Sequence, residues 1–349
     1  MAGIKQHYIP QLLLKGFGRP RGRKVVQVVV FSRENVFSTA TDGVAAQRYF
    51  YSRPDGTGET LDDRITSYEN GLNSMLVQLR ATQRIDAGLK LKLGELVVHL
   101  CVRAAVVRES FGFAAKRIVG RFESEFSSPA LARKALGIDA LVLPKLVRDE
   151  FDSIYERYSV EFSLKGISKL GFRELASQWT RKNFNENFQR NLGRITEELE
   201  GIQRGINEVV ENSHRNVLKQ GLAPSQRVRG LERLEWRVVP CQNSDLVLPD
   251  CVAIASDNDG NWGPYVFFKL DAISRVIMPI SNQFALCGAV NPSDRCLPEN
   301  YNKLLASCSW QFFVSRDQNS FLDQFRPIIG AAVVEQMRHA LVKPIALTS

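Results

Sequence analysis

Apolar positions along the chain follow two rhythms. Residues 25–31, VVQVVVF, are short and β-branched, and VAAQRYFYS at 44–52 is a second extended, aromatic-rich run, joined to the first by SRENVFSTATDG. Short β-rich runs between turn residues predict a small antiparallel meander. SRPDGTGE at 52–59 is turn chemistry and separates strands from helices. From about 60 to 122 the spacing turns helical: Leu89, Leu93, Leu96, Val97, Leu100, Ala104, Val107, Phe111, Ile118 and Phe122 recur at intervals of three and four. Val98, Val102 and Val106 make the opposite side apolar too, which predicts a helix running through the core. Residues 130–233 are mostly helical and more polar, and between 181 and 220 seven bases nearly balance six acids, the pattern of solvent-facing helices.

After Trp236 the strand rhythm returns in EWRVVP, LVLPDCVAIAS, YVFFKL, RVIMPIS and FALCGAV, and a last helical run is expected in NYNKLLASCSWQFFVS. Strands at both ends with helices between predict an α+β fold in one domain of residues 1–349. A mixed or antiparallel sheet is built from the N- and C-terminal segments, 1–59 and 234–349, and a large, mainly helical insertion spans 60–233. The chain shows no internal repeat and no low-complexity tract.

Composition adds direction to this frame. An apolar fraction of 44% in 349 residues is ample for a buried core. The 46 Lys and Arg exceed the 37 Asp and Glu, and the excess is concentrated: the first 33 residues hold seven bases and no acid, whereas 241–300 hold seven acids against three bases. A basic arm of this kind raises the local concentration of anionic partners. The longest apolar run, LVVHLCVRAAVV at 96–107, is interrupted by His99 and Arg103 and falls short of the roughly 20 residues a membrane span needs. The six cysteines contain no Cys-x-x-Cys pair, so reduced thiols in a cytoplasmic protein without a membrane segment are expected.

The opening stretch, KQHYIPQLLLKGF at 5–17, carries the sharpest local signal. Ile9 precedes a proline and should be extended, Pro10 suits the first position of a short helix, and Gly16 suits its end. His7 is thereby aimed from rigid backbone beside a helix start. This stretch resembles the HYVPQ(F/Y)LL(K/R)xF signature of bacterial proteins of the domain-of-unknown-function family 4238. The later order of RYFY, LDDRITSYE, a core helix with a late Arg108, and LPDCVAIASDND before VIMPIS is similar as well. The chain departs from the family's Ser-Asp-Asn-Pro-Val step, reading Ser256-Asp257-Asn258-Asp259-Gly260.

If the two chain ends share a sheet, His7 as base or ligand can meet Asp250 and Asp257 as acids, with Asp257 and Asp259 as ligands for a divalent metal. Lys5, Lys15, Arg19, Arg23 and Arg108 are the expected anion-binding groups. The same SDNDGN stretch is equally the chemistry of a plain turn. Glu95, His99 and Arg103, four apart on one helix face, are expected as a buried polar network. A calcium loop is excluded, because Trp262 and Phe268 occupy the glycine and bidentate-acid positions. Phosphate-loop, nucleophile-elbow and zinc-protease motifs are absent from the sequence. The expected function is a nucleic-acid-directed cytoplasmic protein acting on DNA or RNA, with metal-dependent phosphodiester hydrolysis as its catalytic form. The alternative is a non-catalytic binding or scaffold module for a protein or nucleic-acid partner.

Overall fold

The computed structural model describes residues 4–23, 25–52, 58–241, 245–293 and 297–342. Most of the turn expected at 52–59, and Cys296, lie outside them. The chain divides into two compact units, Met1–Phe111 with Val210–Arg338, and a second built from Gly112–Val209.

In the first unit the strands in chain order are β1 (Lys5–His7), β2 (Arg19–Arg21), β3 (Val25–Ser32), β4 (Val36–Ala40), β5 (Ala46–Arg48) and β6 (Glu235–Pro240). They continue as β7 (Leu248–Pro249), β8 (Ile254–Asp257), β9 (Trp262–Pro264), β10 (Ile273–Pro279), β11 (Phe284–Ala289) and β12 (Phe312–Ser315). One five-stranded sheet runs β2-β3-β12-β7 with β4 also on β3, a second runs β6-β11-β10-β8-β9, and β1 pairs with β5. Every pairing is antiparallel. The fold is therefore α+β, and the first sheet joins the two chain ends, Val30 facing Val314 across β3 and β12. Phe31 and Phe313 sit opposite each other there and stack at 5.0 Å between ring centres.

Two details depart from the periodicity. The partner of β3 is β4, in the stretch expected to be turn, while the 44–52 run contributes only β5, flanked by Ala45 and Tyr49 at φ 52° and 53°. The FFVS end of the last expected helix is the strand β12, because pairing with β3 outweighs a pattern too short to separate helix from strand.

Helix α1 (Gln11–Lys15) buries Leu13 and Leu14. Helix α2 (Leu61–Thr82) opens on a capping box in which Thr60 Oγ1 accepts from the Asp63 N–H and the Asp63 carboxylate accepts from the Thr60 N–H. The single core helix expected across 89–122 is two, α3 (Ala87–Val102) and α4 (Ala105–Glu125), broken at Arg103 and Ala104. The apolar rows of α3 are buried, but Phe111, Ile118 and Phe122 of α4 are exposed.

In the second unit, helices α5 (Pro129–Ala135), α6 (Lys145–Arg157) and α7 (Ser159–Leu164) accompany most of the long α8 (Lys169–Gln220), whose residues from Val210 on belong to the first unit. A small core of Ile138, Leu143 and Phe151 packs with Phe172 and Phe184. Along α8, pairs such as Glu186–Arg190 and Arg194–Glu198 explain the balanced charge of this region. Short helices α9 (Ser225–Leu231), α10 (Tyr301–Cys308), α11 (Ser320–Asp323) and α12 (Ala331–Val342) complete the set. Among the described residues no helix is long and apolar enough to cross a membrane.

The opening motif is fixed from three sides. The buried Gln6 amide bridges β1 to the chain after β5, its Oε1 accepting from Tyr51 N at 2.6 Å and its Nε2 donating to Ser52 O at 2.8 Å. Arg80 of α2 donates to the carbonyls of Leu12 and Leu13 at the end of α1 and to Ile280 O at 2.7 Å, which satisfies helix-end acceptors and ties α1 to the second sheet. Gly16 is not a left-handed cap (φ −67°); its need is space, since a Cβ would lie 2.8 Å from the Ile280 carbonyl oxygen. Gly16→Ala is expected to lower the unfolding free energy by about 1–3 kcal/mol in a urea titration; an unchanged midpoint would show that this joint yields freely.

Candidate functional site

The opening motif and α2 enclose a polar cleft of about 380 Å³ within the first unit, at the lower end of the range for small-ligand sites. One wall is Lys5, His7, Gln11 and Lys15. The other is a single face of α2, where Asp62, Thr66, Glu69 and Asn73 follow at intervals of three and four. Arg103 forms the floor.

Arg103 is 2% exposed, and every nitrogen of its guanidinium is placed. Nη1 pairs with Glu69, Nη2 donates to the main-chain oxygen of His7, and Nε donates to Tyr51 Oη at 3.0 Å. The break between α3 and α4 turns this side chain inward. His99, also fully buried, meets Leu222 O through Nδ1 at 3.0 Å and approaches Glu69 through Nε2 at 3.7 Å. Burial pushes its pKa down to about 4, against the Leu222 carbonyl. Glu95 meets Tyr68 Oη at 3.4 Å, so the polar network expected from Glu95, His99 and Arg103 extends to Glu69, Tyr68 and Tyr51.

His7 is half-buried, with Nε2 3.2 Å from the Gln11 amide nitrogen. An amide nitrogen is a donor, which places the histidine proton on Nδ1. Burial lowers the His7 pKa and Lys5 lowers it further; the Val44 main chain opposes them, Arg103 adds to the lowering, and Asp42 raises it least. His7 is therefore neutral near pH 7. Lys5 and Lys15 are exposed on the same cleft; among the described residues neither has an ion-pair partner.

The other expected site residues stand elsewhere. Neither Asp250 nor Asp257 lines the cleft. Asp250 is buried, and its carboxylate accepts from three successive main-chain N–H groups, Trp310 at 2.7 Å, Gln311 at 2.6 Å and Phe312 at 3.2 Å. Burial pushes its pKa up to about 6 against those donors. Asp257 closes its own loop, accepting from Asp259 N at 3.0 Å and from Asn261 N at 2.9 Å. Partial burial raises its pKa, but the donors around it outweigh that and hold it below the ordinary value. Asp259 is exposed in the same turn. Among the described residues no three His, Cys, Asp or Glu side chains converge on a point that would hold a metal ion. Arg19 pairs with Asp317, Arg23 is exposed, and Arg108 lies 3.8 Å over the Phe50 ring and donates to Phe50 O at 2.7 Å. Arg108 is thus engaged with the core through Phe50.

Glu109 was not visible as a candidate in the sequence. Burial pushes its pKa up to about 7, Asp250 adds to the rise, and Trp310, Arg108 and Gln311 oppose it. Its proton is held more tightly in the folded chain between the unfolded value of 4.5 and about 7. The stability it contributes is therefore full below 4.5 and lost as pH rises through about 7. The stability of the wild type relative to Glu109→Gln should fall across that window; a flat difference in denaturation curves would contradict the assignment.

Two antiparallel sheets, the first joining the two chain ends through β3 and β12, and a polar cleft lined by the HYIPQ turn define an α+β protein. The chain belongs to the family described as a protein of unknown function, DUF4238, whose model matches residues 5–342. No curated protein and no solved structure matches it.

Proposed function

We propose that the chain is a nucleic-acid-directed binding protein that receives a phosphate group of DNA or RNA in the His7 cleft. The observation that carries this reading is the pair of exposed cations, Lys5 and Lys15, opening onto the same cleft as the neutral donors Gln11, Thr66 and Asn73. Arg23, on the same basic arm, adds long-range attraction. A cytoplasmic setting belongs to this reading and is supported by free thiols at Cys101, Cys241, Cys251, Cys287 and Cys308.

Hydrolysis is a second reading, favoured by a His7 that is neutral and therefore able to accept a proton. Its Nε2 lone pair is occupied by Gln11, so binding precedes catalysis in what the geometry supports.

The test is fluorescence anisotropy with single-stranded DNA, single-stranded RNA and duplex DNA across a salt series. Binding should weaken steeply with salt, and Lys5→Glu with Lys15→Glu should weaken it by about tenfold or more. Absence of binding to all three at low ionic strength would sink the reading.

A further inference from the structure

We propose that the cleft selects a terminal phosphomonoester, carried by a strand end or a mononucleotide, over the phosphodiester inside a strand; this rests on the nucleic-acid reading above. Charge is the first argument. A phosphomonoester carries a charge of about −1.5 to −2 near pH 7, because its second pKa is about 6, whereas an internal diester carries a single charge. The cleft offers two open cations, Lys5 and Lys15, while its third, Arg103, is already taken by Glu69. The Asp62 carboxylate on the same lining offsets part of that charge, and what remains attracts a monoester nearly twice as strongly as a diester.

Donor count is the second. A monoester presents three unesterified oxygens and a diester two. Gln11, Thr66 and Asn73 supply neutral donors from both walls, beyond the two ammonium groups. Asp62, in the first turn of α2, is an acceptor for a sugar hydroxyl on the same side. Size is the third argument. A volume of about 380 Å³ takes one nucleotide and leaves its neighbours outside, whereas an internal diester would have to bring flanking sugars in from both directions. A duplex keeps its bases within the stack, beyond the reach of such a cleft.

The test compares one single-stranded oligonucleotide, labelled internally, with hydroxyl ends, with a 5′-phosphate and with a 3′-phosphate. Adenosine monophosphate and adenosine serve as competitors. A terminal phosphate should tighten binding by about tenfold, the monophosphate should displace the strand where adenosine does not, and Lys5→Ala with Lys15→Ala should erase the difference without moving the thermal midpoint. Equal binding of phosphorylated and hydroxyl-ended strands would overturn the inference and leave the nucleic-acid reading standing. Binding of the monophosphate but of no strand would uphold the phosphomonoester site and remove the nucleic-acid reading. If none of the probes binds, both fall.

Discussion

Replacing Arg103 by methionine should lower the unfolding free energy by about 3–5 kcal/mol, the range for removing one partner of a buried ion pair. Methionine fills much of the volume, so the loss is electrostatic and hydrogen-bonding in origin. The Glu69 side chain is 18% exposed and would keep a charge with little water and no counter-ion. The His7 carbonyl would lose the Arg103 donor, and Tyr51 Oη would lose its partner at 3.0 Å. Tyr51 still donates to the His7 and Arg103 main-chain oxygens at 3.4 and 3.3 Å, which keeps the loss from being larger. Guanidinium denaturation is the measurement. Glu69→Gln combined with Arg103→Met should be less damaging than the sum of the two, since the stranded charge is gone; a loss under about 1 kcal/mol for Arg103→Met alone would mean the cleft floor stands without it.

The second large effect is expected at Asp250. Alanine there leaves the N–H groups of Trp310, Gln311 and Phe312 without their acceptor. Each buried orphan costs about 1–3 kcal/mol, so a loss of at least about 3 kcal/mol is expected. Asparagine should cost nearly as much, because its amide nitrogen would face a main-chain donor. The site already holds strain: Val252, two residues on, has φ 68°, a region β-branched residues avoid. Thermal melts of both variants decide the matter, and tolerance of alanine would show that water satisfies those groups.

Much of the frame was legible because its signals are local. The β-branched run of β3, the alternation after Trp236 and the apolar rows of α3 each announce themselves within a few residues. The sheet joining both chain ends was inferred correctly from element order alone. The break at Arg103 was not, since apolar spacing continues through it and the partners Arg103 finds there, Glu69 and the His7 carbonyl, are distant in sequence. The site divided in the same way. His7, Lys5 and Lys15 were named from the motif that positions them. The wall opposite, Asp62, Thr66, Glu69 and Asn73, is one polar face of α2, and a polar helix face carries the same pattern whether it lines a cleft or meets solvent. The main-chain N–H groups that Asp250 and Asp257 meet were not legible, because an acidic stretch says nothing about which distant or looping backbone donors will reach its carboxylates.

The pairing of β3 with β12 also bears on how the chain is made. Val30 waits for Val314, so the 29–32 stretch of one β3 edge, beyond the part that β2 covers, stays unpaired while nearly all of the intervening chain leaves the ribosome. Such a late closure makes for slow folding, and in the interval an open, β-branched edge can recruit a neighbouring chain. Refolding of this chain is therefore expected to lose yield with rising concentration more steeply than its helix-rich composition suggests.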